Sequence, residues 1–281
     1  NSPMYIQYWD FLKGIFTGNL GNSYYTKTPV LNEILVRFPA TVELALCSII
    51  FASIFGIIIG VISAVKKNSI FDNIGMLFAL IGVSMPIFWL GLLLIIIFSS
   101  TLGILPSGGR IDPLMQPQGL TGLYLLDTLI LCDFEAFGDA LKHIILPASA
   151  LGLSSMAIIT RMTRSSMLET LNQDYIRTAR SKGISEGKVI RKHALRNALI
   201  PIVTVIGLQL GSLLGGAVLT ESVFAWPGIG SYTVNAILKS DFPVVQGVVM
   251  LIAIIFVVMN LIVDIVYAFL DPRIKYSNKE G

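Results

Sequence analysis

Charge is what this 281-residue sequence has least of: Asp, Glu, Lys and Arg make up 13% of it, against about a quarter in ordinary soluble domains. Together with 54% apolar residues and a mean hydropathy of +0.77, that shortage excludes a water-soluble globular fold and identifies an integral membrane protein. Histidine and cysteine are nearly absent. His143 and His193 have no metal-ligand spacing, and Cys47 and Cys132 form no zinc, redox or disulfide pattern. Neither a metal site nor a catalytic constellation is expected. A phosphate loop is also lacking, because Gly183-Ile184-Ser185-Glu186-Gly187-Lys188-Val189 has neither the four-residue gap between glycines nor a Ser or Thr after the lysine. The chain is therefore expected to be no enzyme and to bind no ATP itself. The net charge of +3, with no soluble block of domain size, offers no platform for nucleic acid. Acids inside apolar runs are rare too. Glu43 and Asp264, each near a span end, are the candidates for an ion path, and an interfacial or packing role accounts for both.

What is present is a series of long uncharged runs, helix-length rather than the ten-residue alternations of a barrel, so the fold class is all-α, a polytopic transmembrane helical bundle. Residues 1–40, broken by Gly18, Gly21, Pro29 and Pro39, read as an extracytoplasmic lead-in with short helices such as Tyr5–Phe16. A transmembrane domain follows over 41–270, with five spans at about 41–65, 74–101, 144–167, 197–220 and 242–270, and a tail over 271–281. Pro86 is expected to kink the second span. Residues 102–143 form a polar, acidic insert with an amphipathic helix around Leu123–Ile130. The third span has 17 residues before its first charge, so Arg161 and Arg164 must snorkel or be buried to complete it. If the spans alternate, 14 of the 20 basic residues fall on one face, which the positive-inside rule makes cytoplasmic. The first residues are then outside and the tail inside, and an uncleaved chain is expected to begin with one more helix.

The cytoplasmic loop, 168–196, is the one strongly basic stretch. Asp174–Lys182 reads as a helix with Tyr175, Ile176 and Ala179 on one face, and Gly183 as its left-handed stop. Ser185 is a plausible N-cap for a second helix that runs into the fourth span. Charge bias alone explains basic loops, but the order of helix, glycine, helix and Pro201 is more than that bias requires. Between the last two spans, Thr220-Glu221-Ser222-Val223-Phe224-Ala225-Trp226-Pro227-Gly228-Ile229-Gly230 reads as a turn-rich loop.

Asp174-Tyr175-Ile176-Arg177-Thr178-Ala179-Arg180-Ser181-Lys182-Gly183, followed by His193-Ala194-Leu195-Arg196-Asn197-Ala198-Leu199-Ile200-Pro201, closely resembles the coupling loop of ABC importer permeases of the dipeptide, oligopeptide and nickel branch. Arg37-Phe38-Pro39-Ala40-Thr41-Val42-Glu43-Leu44, Ser84-Met85-Pro86-Ile87-Phe88-Trp89-Leu90-Gly91, Asp241-Phe242-Pro243 and Asp271-Pro272-Arg273 resemble that branch as well. Arg177-Thr178-Ala179 stands where the wider superfamily often has Glu-Ala-Ala, a departure the branch shares. The family's first span has no counterpart.

The resemblance implies the type I ABC importer permease fold in a cytoplasmic (inner) membrane. It implies as partners a homologous second permease, two ATPase subunits carrying ATP and Mg, and an extracytoplasmic substrate-binding protein, with lipid around the spans. It makes Asp174, Tyr175, Ile176, Arg177, Ala179, Arg180 and Gly183 the ATPase-coupling interface, with Tyr175, Ile176 and Ala179 packing into an ATPase groove. Glu221, Phe224 and Trp226 become candidates for touching the binding protein or capping the pore, although an interfacial Trp226 beside a Pro-Gly turn is the plainer role. The expected cargo is a di- or oligopeptide, with nickel or a metal chelate as the alternative. A gradient-driven secondary transporter would carry inverted repeats and midplane acids, and a scaffold without transport would use the loop for docking only.

Overall fold

The computed structural model describes residues 17–270 and, before them, Pro3, Tyr5, Ile6, Trp9, Lys13 and Gly14, with backbone alone at Gly216, Asp264 and 266–270. The side chain of Asp264, most of the expected Tyr5–Phe16 piece and the Asp271-Pro272-Arg273 tail lie outside the described residues. Those residues are helical apart from turns and one isolated bridge between Asn22 and Pro29. Four helices are long and apolar enough to cross a membrane, and a bent pair makes a fifth span if counted as one.

Helix α1, Val30–Val65, starts well before the expected span and has 36 residues, about 54 Å at the α-helical rise and more than the ~30 Å hydrocarbon core needs. Pro39 lies inside it rather than breaking it, at the loss of one ladder hydrogen bond. α2, Ile70–Ser84, opens with Ser69 accepting from the Asp72 N–H at 3.4 Å. It does not merely kink at Pro86. The helix stops, Met85 is extended, and α3, Ile87–Leu94, begins afresh and runs on as a π-helical turn, Ile95–Thr101. The insert carries α4, Tyr124–Ile130. α5, Phe134–Leu171, has 38 residues, and α6 is Asp174–Ser181. A short turn, Glu186–Lys188, and a π-helical stretch, Val189–Ala194, lead into α7, Leu195–Gly216. α8, Val218–Val223, and α9, Ile229–Leu238, occupy the stretch read as loop, and α10 is Phe242–Leu270.

The chain forms two compact units. Unit 1 comprises residues 1–45, 91–147 and 214–255. One part of its core gathers Val30 and Ile34 of α1, Ile229 and Ala236 of α9, and Val244 and Val248 of α10. A second part sets Ile111 against Ala136 and Ala140 of α5 and Tyr124 and Leu125 of α4. Asp241, just before α10, accepts from the Ser23 hydroxyl and from the Tyr24 N–H at 3.0 Å, which ties the 22–29 turn into the unit.

Unit 2 comprises residues 46–90, 148–213 and 256–281. Its part of α1 meets α5 through Gly56 and Gly60, a small-xxx-small pair of the kind that lets membrane helices approach closely. A Cβ at Gly60 would stand 2.5 Å from the Thr163 Cβ and 2.8 Å from the Thr160 carbonyl oxygen. Outward-facing Ile50, Ile54, Phe55, Ile58 and Ile62 on the same helix are exposed, as a lipid-facing stripe requires.

Candidate functional site

In unit 2, α6 ends in the corner its sequence predicts. Gly183 has φ 74°. Its N–H donates to the Arg180 carbonyl at 2.9 Å, and the Ile184 N–H donates to the Ala179 carbonyl at 3.3 Å. These are the two bonds of a Schellman motif. Ser185 precedes the next helical turn, though its side chain caps nothing. Across the corner Arg180 makes a fork with Glu186, Nη2 to Oε1 at 2.6 Å and Nε to Oε2 at 3.1 Å, and Arg177 lies 3.4 Å from Asp174.

The apolar face divides differently from the expectation. Ile176 and Ala179 are buried, and α6 packs on the Val189–Ala194 segment, so these two side chains anchor the helix in its own unit instead of projecting toward a partner. Tyr175 is 42% exposed, with its hydroxyl accepting from Asn197 Nδ2 at 2.7 Å. The outward face consists of Asp174, Tyr175, Arg177, Thr178, Arg180 and Ser181. Nearby, Asp72 holds Arg164 through paired contacts of 2.7 and 2.8 Å, which is how one arginine of the third span is accommodated. The sequence reading did not single out Asp72.

In unit 1, Glu221 is fully buried. One carboxylate oxygen accepts from the Thr41 hydroxyl at 2.6 Å, the other from the Ser231 N–H at 2.9 Å. The Thr41 oxygen in turn accepts from the Ile229 N–H at 2.9 Å. The two side chains thus satisfy first-turn donors of α9, where the partial positive charge of the helix end also favours an anion. The carboxylate occupies the space a side chain at Gly228 would need, and a Cβ at Gly230 would sit 2.6 Å from the Val218 Cα. Burial pushes the Glu221 carboxyl above its ordinary value, against the opposing bonds from Thr41, Ser231 and Gly230.

Trp226 and Phe224 are each 1% exposed, and the indole N–H donates to the Ala40 carbonyl at 2.9 Å. Glu221, Phe224 and Trp226 therefore hold the α8–α9 turn together, and Trp226 is no interfacial anchor. The residues the turn presents outward are Ser222, Ala225, Pro227 and Asn235. Glu43 is likewise committed: Arg110 contacts it through Nε at 2.8 Å and Nη2 at 2.5 Å, and the Leu125 N–H donates to its other oxygen at 2.7 Å. Arg110 stacks over Tyr124 at 3.7 Å. This closed cluster pins the insert and pairs Glu43 within unit 1. Among the described residues no group of His, Cys, Asp and Glu could hold a metal.

Residues 56–276 match the family described as binding-protein-dependent transport system inner membrane component. The dipeptide transport system permease protein DppB of Alkalihalophilus pseudofirmus is 52% identical over 276 residues, 98% of this chain and 83% of that protein. The Escherichia coli protein of the same name is 48% identical over 280 residues, 99% and 83% of the two chains. The glutathione transport system permease protein GsiC of Pectobacterium atrosepticum is 43% identical over 277 residues, 99% and 81%. Among solved structures, an inward-facing MetNI methionine ABC transporter matches with a TM-score of 0.57 at 20% identity, over 83% of this chain and 96% of that one. An amino acid ABC transporter solved with histidines matches at 0.58 and 12% identity, over 91% and 96%. At these identities the two structures support the permease fold.

Proposed function

The chain belongs to the binding-protein-dependent transport system inner membrane components, and from that premise we propose that it is the membrane-crossing subunit of an ATP-driven importer of di- or oligopeptides. The observation that carries the cargo class is likeness along almost the whole chain to permeases named for dipeptides and for glutathione, itself a peptide. ATP and Mg belong to two partner ATPases, a homologous permease completes the pore, and an extracytoplasmic protein delivers the peptide. The corner at Gly183 is the coupling element. Its exposed Tyr175 and Arg177 meet the ATPase, where charge supplies orientation more than affinity. Arg180 arrives already paired with Glu186, so it stiffens the corner. Buried Ile176 and Ala179, with the Tyr175–Asn197 hydrogen bond, join α6 to the start of α7, so a push on the corner moves these elements as one body. A delivering protein would touch the α8–α9 turn through Ser222, Ala225, Pro227 and Asn235.

The test is purification of the chain with whatever stays bound in mild detergent, followed by reconstitution and uptake of a labelled dipeptide. Expected are two ATPases, a second permease and ATP-dependent peptide uptake. Uptake of a nickel chelate without peptide would overturn the cargo, and gradient-driven uptake by the chain alone would overturn the mechanism.

A further inference from the structure

At the turn between α1 and α2, on the side of the membrane that the positive-inside rule predicts to be cytoplasmic, unit 2 sets Lys66, Lys67, Arg161 and Arg164 around a single acid. That acid, Asp72, is buried and its carboxylate is fully used: Arg164 meets its two oxygens at 2.7 and 2.8 Å, and the Asn68 N–H reaches Oδ2 at 3.0 Å. Arg164 is thereby neutralised. Lys66, Lys67 and Arg161 are exposed, and none of them enters a salt bridge among the described residues. Lys67 is near enough for its charge to act on Asp72, Lys66 stands over the Phe71 ring at 4.1 Å, and Arg161 lies about one turn before Arg164 on α5. The next acid along α5, Glu169, is exposed and pairs with none of them. The end of α1 and the start of α2 meet here with opposite partial charges that offset one another, so the side chains set the sign.

Beside these charges the surface is apolar and open. α2 turns Asp72, Gly75, Ala79 and Gly82 inward, and a Cβ at Gly75 would stand 2.7 Å from the Ser63 hydroxyl oxygen of α1, so the two helices lie close together. Ile62 and Val65 of α1 and Ile74 and Phe78 of α2 remain exposed. Charge bias fixes only the side on which lysines fall; it does not require unpaired cations above an exposed apolar seam. Both halves of the surface suit an amphiphile with an anionic head. We propose that the α1–α2 turn binds an anionic phospholipid, its phosphate held by Lys66 and Lys67 with Arg161 adding to the field, and its acyl chains lying along Ile62, Val65, Ile74 and Phe78. A soluble anion would use the lysines and leave the seam uncovered. The site stands whatever the cargo of the transporter.

The test is native mass spectrometry of the assembled transporter, stripped of co-purified lipid in detergent and titrated with phosphatidylglycerol or with phosphatidylcholine of the same chains. For the first lipid bound, phosphatidylglycerol is expected to lead by about tenfold in affinity. Lys66→Gln with Lys67→Gln should remove that lead and leave phosphatidylcholine binding as it was, whereas Lys66→Arg with Lys67→Arg should keep it. Lys27→Gln with Lys239→Gln, an equal loss of charge at exposed positions of unit 1, should keep it too. Equal losses from the two glutamine pairs would reduce the effect to net charge and overturn the site, as would a lead that survives Lys66→Gln with Lys67→Gln. No lead in the wild type, as when the second permease covers the seam, would overturn it without any variant having to assemble. Displacement of bound phosphatidylglycerol by an equal concentration of glycerophosphoglycerol, the head without its chains, would make this a site for soluble anions and overturn the lipid.

Discussion

Glu221 and Asp127 are both buried carboxylates with no cation paired to them among the described residues, yet their surroundings drive them in opposite directions. At Glu221 burial wins and the carboxyl titrates above its ordinary value. At Asp127 burial also raises, but the Thr121 hydroxyl and the main-chain N–H groups of Thr121 and Gly122 outweigh it and hold the group below. By linkage, the Glu221 contribution is complete below the unfolded value and is lost as pH rises through the raised one. The Asp127 contribution is present above the unfolded value and is lost as pH falls through the lowered one. Melting temperature measured across about pH 3 to 8 should therefore show Glu221→Gln removing a decline on the alkaline side and Asp127→Asn removing one on the acid side. Parallel curves for wild type and variant would remove that residue from the pH response. The Glu43–Arg110 pair makes a different demand. Arg110→Met leaves a buried carboxylate without its partner and should cost about 3–5 kcal/mol in unfolding free energy. Glu43→Gln should lower stability without introducing or abolishing dependence of uptake on an ion gradient, and a changed ion dependence would return Glu43 to the transport path.

The corner at Gly183 is decided at the level of the element, because a glycine with φ 74° and nothing within 4 Å of an added Cβ is required for its backbone and not for space. Gly183→Val should thus distort the corner at a cost of about 1–2 kcal/mol from the left-handed conformation alone, and Gly183→Asn should be tolerated far better. The readout is the ratio of peptide imported to ATP hydrolysed, expected to fall for Val and to stay near wild type for Asn. An equal fall in both would mean that bulk, not backbone, matters there. This corner was legible because its signals are local: Gly183 as C′ residue, Ile184 after it and helix formers before. What periodicity could not decide was which apolar residue of α6 faces its own chain, since Tyr175, Ile176 and Ala179 share a broad face and only the packing on Val189–Ala194 separates them. α9 escaped for a related reason. Its cap comes from Glu221 and from Thr41, 188 residues before Ile229, and without a local Ser, Asp or Asn at its start the Trp226-Pro227-Gly228 sequence reads as turn.

For the whole molecule, the presence of several helices long and apolar enough to cross a membrane was readable from length and apolarity, whereas the pairs that neutralise its buried charges were not: Asp72 and Arg164 lie 92 residues apart and Glu43 and Arg110 lie 67 apart, beyond any window of sequence. Orientation rests on a quantity that local packing does not touch, the uneven placement of lysine and arginine. Lys66, Lys67, the Arg161–Arg196 segment and the tail carry 14 of the 20 basic residues, and from that bias the positive-inside rule predicts the Gly183 corner in the cytoplasm and the insert outside. The chain supplies its own probe, because Cys132 is exposed in the insert while Cys47 is only partly so in α1. In intact spheroplasts a membrane-impermeant maleimide should label Cys132. A Ser181→Cys substitution in a Cys132→Ser background should be labelled only after the membrane is opened, since Ser181 is exposed on the corner. The reverse pattern would invert the topology and take the Gly183 corner out of reach of any cytoplasmic ATPase, and labelling of both sites in sealed cells would mean that the spans do not alternate.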